Sequence, residues 1–441
     1  MLEPVSHTYE EDFNARGPKT PPVAPLEPPA LLYENGVFTQ GQPYGAFRTM
    51  REQAPVMWHP MPEGPGFWAL TRYDHIRAVE LDTATFSSQK GGILMTYGRE
   101  DRRHPLLHRS SLDTMICLDQ PYHIPLRREH MPFFTPGYVE DLRRKVDVKV
   151  SELLDGMAAE GPRVDMVERF SAELPLFTLC EILGVDQADR PKLIEWMHFL
   201  EIAGYVFQQR ELGEIDADFL NAFLAAIQEM FDFGQATLKQ RRAEPRKDLL
   251  SAIANAKVDG DLLPDEYLDG SWLLIVFAGN DTTRNSLSGT MKLLTEFPQE
   301  KRKLIEKPEL IGNMVHEAIR MVSPVVYMRR TATRDAMIGD QPIGAGEKVI
   351  MYYGAANRDP AIFPEPDRFD VTRPNAKDHI AFGLGPHVCL GQRVANMQLE
   401  AAYKQILARF PDIAWTGEID IAPNNFVHAI RELKVDLGPQ A

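Results

Sequence analysis

A long apolar segment in the middle of the chain constrains the fold more than any other feature. Residues 269–297, DGSWLLIVFAGNDTTRNSLSGTMKLLTEF, predict one long helix whose first half is apolar almost all the way round. A helix of this kind is buried. The chain has 441 residues, 44% of them hydrophobic, which suffices for a large core or for two to three average domains.

The remaining patterns favour one large, mainly α domain with a small β portion. The sequence is mostly helical in character from residue 138 to about residue 297, and short strands and turns follow Pro324. A last helix is predicted from about Leu390 to Phe410. Residues 1–30 hold seven prolines and few large apolar side chains. We therefore expect a poorly ordered arm there and a single domain over residues 31–441.

Charge and cysteine content exclude several classes of protein. Lys and Arg number 48 against 63 Asp and Glu, a net charge of −15, which disfavours binding to nucleic acid. The longest apolar run, LLIVFAG at 273–279, is too short to span a membrane. Three cysteines, Cys117, Cys180 and Cys389, cannot form a disulfide framework, so we expect a cytoplasmic protein.

Polar residues interrupt the central helix at residues 279–283, where Gly-Asn-Asp-Thr-Thr follows the apolar run. Burying a carboxylate beside two threonines costs free energy unless protein groups or water form hydrogen bonds with it. The Thr282 hydroxyl can turn back to the Ala278 carbonyl and open the helical ladder. The segment is thus either a structural kink or an acid–alcohol pair, Asp281 and Thr282, that handles protons beside a ligand.

A glycine-rich loop, AFGLGPHVCLG at 381–391, places Cys389 directly before the last predicted helix. A thiolate is a metal ligand, and its pKa falls at a helix N-terminus. Zinc would need further cysteines or histidines at short spacing, and only His387 is near. A nucleophilic cysteine with His387 as its base is the other alternative, although alternate residues of a loop often point apart.

Together these segments resemble the cytochrome P450 family of haem-thiolate monooxygenases. FGLGPHVCLG fits the pattern Phe-Gly-x-Gly-x-His/Arg-x-Cys-x-Gly at every fixed position, and AGNDTT at 278–283 fits the oxygen-activating motif. HEAIRMVSP fits the Glu-x-x-Arg motif of the family, and PDRF fits the segment that carries its arginine partner. LDQPYHIPLRR at 118–128 is similar to the helix that contacts the haem edge. The matching segments lie between about residues 65 and 437 and follow one another in the same order as in the family.

The resemblance implies the α+β fold of the family and haem b held by the Cys389 thiolate. For contact with a haem carboxylate the resemblance implies Arg329, and the adjacent Arg330 is an alternative. The resemblance also implies a buried structural network of Glu317, Arg320 and Arg368 beneath the loop. The residues that it places against the haem are Cys389, Phe382, Gly383, Gly391, Ala278, His123, Arg127, Arg329 and His387.

The implied reaction inserts one oxygen atom of O2 into a C–H bond, with Asp281 and Thr282 delivering protons. Electrons would come from a separate ferredoxin and its reductase. Positive charge at Arg128, Arg143, Arg144 and Lys145 would steer an acidic ferredoxin. The alternatives are a peroxide-dependent haem-thiolate peroxygenase and a haem sensor without turnover, and the intact acid–alcohol pair argues against both.

The substrate expected from the resemblance is hydrophobic. NDTTRNSLSG, SPVVYMRRTA and NNFVHAIRELKV are similar to members that oxidise linear alkanes, terpenoids, branched lipids or sterol side chains. Residues 92–118 are expected to form a lid, and residues 198–216 a mobile helical pair over the entrance. The side chains expected to line the pocket are Leu274, Phe277, Ala278, Val325, Val326, Phe426 and Val427.

Overall fold

A computed structural model describes residues 15–62, 64–95, 111–196, 199, 216–258 and 260–439. Helices make up most of it, as the sequence predicts. The α-helices include α1 Tyr44–Gln53, α2 Tyr73–Leu81, α3 His123–His130, α4 Pro136–Glu160, α5 Glu173–Leu183, α6 Ala217–Ala243, α7 Leu249–Ala254, α8 Asp265–Ala278, α9 Asp281–Glu296, α10 Pro298–Glu306, α11 Ile311–Val322, α12 Tyr353–Ala356 and α13 Gln392–Arg409.

The strands are short and belong to four small sheets within the described residues. The largest sheet has the order β1-β2-β10-β7-β3, with a parallel β2–β10 pair and antiparallel neighbours elsewhere. The strands are β1 Val56–His59, β2 Phe67–Leu70, β3 Phe86–Ser87, β4 Arg163–Asp165, β5 Lys257–Val258, β6 Asp261–Leu262, β7 Tyr327–Ala332, β8 Ala336–Ile338, β9 Gln341–Ile343, β10 Lys348–Tyr352, β11 Ala414–Ala422 and β12 Ala429–Asp436.

The helical core forms because apolar residues recur on one face of each helix. In α4 the buried positions are 139, 142, 146, 150, 154 and 157, the three- and four-residue spacing of one helical face. Helix α13 packs on α4 and on α11, and α11 packs on α9. These contacts place the start of α13, directly after the glycine-rich loop, against the largest apolar cluster.

The central segment 269–297 is divided into two helices rather than continuous. Helix α8 ends at Ala278 and α9 begins at Asp281, with Gly279 and Asn280 between them in a turn. The break falls where the polar residues interrupt the apolar run. No helix among the described residues combines the length and the hydropathy that a membrane crossing requires.

The N-terminal residues that the structure describes, 15–30, lie in neither helix nor strand. The Lys19 backbone N–H donates to Glu347, and the Thr20 hydroxyl donates to the Pro342 carbonyl. The Val23 N–H donates to the Gln341 side chain. Residues 19–23 therefore lie along β9 and the β9–β10 connection. The expected poor order of the arm stays a prediction, and residues 1–14 lie outside the described part.

Candidate active site

The loop that carries Cys389 is shaped by two glycines. Gly383 and Gly385 have φ values of +70° and +65°, a region that favours glycine. A Cβ on Gly385 would also lie 2.9 Å from the Glu80 carbonyl oxygen, so no larger residue fits there. The Cys389 N–H donates to the Phe382 carbonyl at 2.8 Å and closes the loop just before α13.

Cys389 differs from the other two cysteines of the chain. Its thiol is exposed, whereas Cys117 and Cys180 are buried. Burial by the surrounding protein raises the pKa of the Cys389 thiol, while N–H groups of Gly391 and Gln392 and the charge of Arg127 oppose that rise. An accessible sulfur with amide donors and a cation around it suits a metal-bound thiolate.

The zinc alternative finds no ligand set. Among the described residues no group of three or more His, Cys, Asp or Glu side chains is placed to hold a metal ion. His387, the one histidine close to Cys389 in sequence, stacks on His123 with ring centroids 3.9 Å apart. The residues present fit a cofactor that brings most of its own metal ligands and needs one sulfur from the protein.

The two stacked histidines are uncharged at neutral pH. Burial, together with the positive charges of Arg127 and Arg330, lowers the pKa of His123 to about 4 and that of His387 to about 2. The His387 Nε2 lies 3.3 Å from the Ser88 hydroxyl, and its buried Nδ1 has no partner within the described part of the chain. These polar atoms can receive the carboxylates of a bound cofactor.

Arginine 127 connects this cluster to the loop. Its Nη2 donates to the Val388 carbonyl at 2.5 Å, so the guanidinium lies beside the residue before Cys389. His123 and Arg127 are one helical turn apart on α3 and reach the same region. The structure thus brings together three of the predicted cofactor contacts: His123, Arg127 and His387.

Arg329, another of the predicted cofactor contacts, makes its hydrogen bonds outside this cluster. Its guanidinium lies 3.4 Å from the Leu94 and Met95 carbonyl oxygens and 3.3 Å from the Thr331 hydroxyl. Consecutive residues of a strand face opposite sides, and Arg330 is the one whose charge acts on His123 and His387. The geometry therefore favours Arg330 over Arg329, and contact of either residue with a haem carboxylate stays a prediction.

The acid–alcohol pair lies at the break between α8 and α9. The Thr282 hydroxyl donates to the Ala278 carbonyl at 3.1 Å, which confirms the bond expected from the sequence. The Asp281 carboxylate lies 3.4 Å from Arg284 and is 39% exposed, whereas Arg284 is buried. The break thus presents a hydroxyl and a partly exposed carboxylate at neighbouring positions.

A buried network lies around Glu317, as predicted, but its third member differs. Glu317 and Arg320 form a double pair at 2.7 and 2.9 Å, and the Arg373 Nε donates to Glu317 at 2.9 Å. The Arg368 side chain is instead 52% exposed and pairs with Glu365. Only the Arg368 carbonyl joins the network, as an acceptor for Arg320 and Arg373. The prediction of Arg368 is therefore wrong.

The predicted pocket residues do not share one environment. Phe277 is 43% exposed, Ala278 is also exposed, and Leu274 is half-buried. Val325 and Val427 are half-buried partners in a backbone bridge. Val326 is wholly buried and belongs to the apolar core on the sheet side, so it does not line a pocket.

Two further predicted residues pack against protein rather than standing free. The Phe426 ring packs on Tyr327 with centroids 5.3 Å apart. Phe382 is half-buried, and its ring packs on His379 with centroids 5.5 Å apart.

Of the expected lid, residues 96–110 lie outside the described part, as do residues 198 and 200–215 of the expected helical pair.

Comparisons with known proteins agree on one family. The family model described as cytochrome P450 matches residues 207–412. Linalool 8-monooxygenase of Pseudomonas putida is 33% identical over 409 residues, which cover 92% of this chain and 98% of that protein. Methyl-branched lipid omega-hydroxylase of Mycobacterium tuberculosis is 32% identical, over 89% of this chain and 90% of its own.

A solved structure extends the similarity to the fold. The Mycobacterium marinum cytochrome P450 in complex with pseudoionone superposes with a TM-score of 0.80 and is 33% identical to this chain. The alignment covers 90% of this chain and 96% of the other. The similarity therefore extends over nearly the whole of both chains.

Proposed function

The chain belongs to the cytochrome P450 family of monooxygenases, and from that premise we propose that it hydroxylates a terpenoid or methyl-branched lipid with electrons from a separate ferredoxin. Its cofactor is haem b with a cysteine thiolate ligand. The observation that carries the proposal is the exposed Cys389 thiol at the start of α13, beside a cluster of buried cations and histidines.

Haem held by a thiolate supplies the activation of O2, because the sulfur pushes electron density toward the iron and favours O–O cleavage. In our proposal Cys389 is that ligand. Arg127, Arg330, His123 and His387 hold the two haem carboxylates through charge and hydrogen bonds. The N–H groups at the start of α13 favour the anionic form of the sulfur and oppose the rise in its pKa that burial causes.

Asp281 and Thr282 are the proposed proton carriers. The Asp281 carboxylate is partly exposed, so it can take a proton from solvent and release it into the interior. The Thr282 Oγ1 donates to the Ala278 carbonyl, which leaves its lone pairs available to accept a hydrogen bond from water or a reacting oxygen. Such positioned acids and alcohols raise rates by about 10²–10⁴-fold.

Relatives support the proposed substrate class. Linalool, methyl-branched lipids and pseudoionone appear in the names of three similar proteins, and linalool and pseudoionone are both acyclic isoprenoids. The residues available to the pocket in this chain, Leu274, Phe277 and Val325, are uncharged. An apolar wall that positions rather than ionises the substrate suits such molecules.

A ferredoxin is the proposed electron donor, although part of the predicted basic patch is neutralised. Arg143 pairs with Glu400, Arg144 with Asp141, and Lys145 with Glu181. Exposed residues of the described part near the cysteine loop include Leu81, Arg128, Met131 and Arg393, and we call these four the cysteine face. The three unpaired cysteines support a reducing compartment such as the cytoplasm.

Carbon monoxide binding to the reduced protein tests the proposed ligand. We expect the wild type to show the strongly red-shifted Soret band of thiolate-ligated haem. Cys389→Ser should lose that band, because it removes the sulfur, while Cys180→Ser should keep it, because Cys180 is buried elsewhere. A band at the wild-type position in Cys389→Ser would refute the assignment.

Turnover assays test the reaction and the substrate class. Linalool, pseudoionone, a linear alkane and a steroid would each be supplied with NADH, a ferredoxin and its reductase. We expect hydroxylated product, tied to NADH consumption, with the acyclic isoprenoids first. Product formed only with peroxide would favour a peroxygenase. Absence of product with both oxidant systems would favour a haem sensor.

A further inference from the structure

A buried carboxylate that the reaction does not use lies directly behind the cysteine loop. Glu80 is 1% exposed and occupies the last turn of α2. A negative charge at a helix C-terminus is disfavoured by the helix dipole, and burial of a carboxylate is costly unless it is paired. Both costs indicate that this residue has a specific role.

Glu80 has two charged or polar partners that fix its carboxylate. Its Oε2 accepts from the Arg330 Nη2 at 2.9 Å, and both side chains are almost wholly buried. Its Oε1 accepts a short hydrogen bond from the Tyr353 hydroxyl. The carboxylate therefore holds Arg330, the arginine proposed above to bind a haem carboxylate.

Arg330 is held at two of its three nitrogens. The Nη2 donates to Glu80, and the Nη1 donates to the Arg329 carbonyl at 2.8 Å. The buried Nε has no partner within the described residues. Two hydrogen bonds therefore fix the guanidinium, and its third donor can bind an acceptor that does not come from the protein.

Glu80 also touches the loop itself. A Cβ on Gly383 would lie 3.5 Å from the Glu80 Oε1, and one on Gly385 would lie 2.9 Å from the Glu80 carbonyl oxygen. The negative charge is therefore close to the segment that carries His387 and Cys389. Stability alone does not explain such a pair, because buried ion pairs can often be replaced by apolar side chains without loss of stability.

We propose that Glu80 is a positioning residue that holds Arg330 toward the haem carboxylates and keeps the haem reduction potential low. The inference rests on the proposed haem site and adds a function for a residue outside it. Glu80 offsets the positive charge of Arg330, so the site is less cationic than its arginines suggest. A less cationic surrounding favours ferric over ferrous iron, since reduction adds an electron in a region of low dielectric.

Two substitutions should shift the midpoint potential of the haem-loaded protein in opposite directions. Glu80→Gln removes the negative charge and keeps the shape, so the midpoint potential should shift to a more positive value. Tyr353→Phe removes a hydrogen bond that disperses the Glu80 charge, so the potential should shift to a more negative value. A residue that only stabilises the fold would shift both variants in the same direction or neither.

The control breaks a similar buried pair far along the chain from the loop. Arg241 and Asp248 lie 2.9 Å apart and are buried, so Asp248→Asn removes a buried pair of the same type. Its potential should equal that of the wild type. Glu80→Asp keeps the negative charge, so its midpoint potential should also equal that of the wild type. This variant serves as the second test if Glu80→Gln does not take up haem.

Redox titration followed by absorbance measures all five proteins. An unchanged potential in Glu80→Gln, or shifts of the same sign in Glu80→Gln and Tyr353→Phe, would overturn the inference while leaving the proposed function intact. A shifted potential in Glu80→Asp that equals the shift in Tyr353→Phe would overturn it as well. A wild type without the thiolate Soret band would instead overturn the proposed function, and this inference with it.

Discussion

Glu317 accepts hydrogen bonds from Arg320 and Arg373 at once, and all three side chains are buried. We expect Arg373→Ala to lower the free energy of unfolding by about 3 kcal/mol, because it leaves the buried carboxylate with one of its two cations. Arg368→Ala should cost less than about 0.5 kcal/mol, since that side chain is half exposed. Urea unfolding followed by tryptophan fluorescence measures both, and equal losses would contradict the network described here.

Single residues are where the sequence is least informative. Arg368 and Arg373 lie five positions apart in one loop, and only the backbone path decides that the carbonyl of the first and the side chain of the second enter the network. Arg329 and Arg330 are adjacent, and the pairing of β7 with β10 decides which one faces the histidines. Cys389, by contrast, is singled out by the match of its loop to the family pattern, and its role as the haem ligand stays a prediction.

At the scale of elements, an irregularity near residues 278–282 was predictable from local sequence, although one long helix was expected rather than α8 and α9. A threonine four residues after Ala278 can occupy that carbonyl with its hydroxyl, and Thr282 does so. The order of the sheets was not predictable, because strands distant in sequence pair with each other, as β2 does with β10. The last helix, predicted from about Leu390 to Phe410, is α13 and was predicted within a few residues.

The break also gives a prediction at the element scale. Thr282→Val removes the hydroxyl and keeps the volume, so NADH consumption should continue while product per NADH falls roughly tenfold or more. Thr282→Ser should retain most of the product yield. Thr290 makes the same type of bond, to the Ser286 carbonyl, so Thr290→Val is the matched control. A similar fall in Thr290→Val would show that helix geometry, rather than the hydroxyl, sets the yield.

At the scale of the whole molecule, charge is distributed unevenly. The chain has a net charge of −15, so an acidic ferredoxin is repelled by the protein as a whole and needs a local cationic surface to approach. The cysteine face provides two exposed arginines beside two exposed apolar residues, Leu81 and Met131. Apolar contact at the centre and charge at the edge is a common arrangement in transient interfaces.

Charge reversal at the cysteine face tests where the ferredoxin binds. Arg128→Glu and Arg393→Glu should each lower the rate of haem reduction roughly tenfold at low salt, because steering by charge acts on association. Substrate affinity, measured by the spin-state shift, should not change. Arg144→Glu is the matched control, because Arg144 is exposed but already paired with Asp141. A larger effect at Arg144 than at Arg128 or Arg393 would move the docking site away from the cysteine face and onto α4.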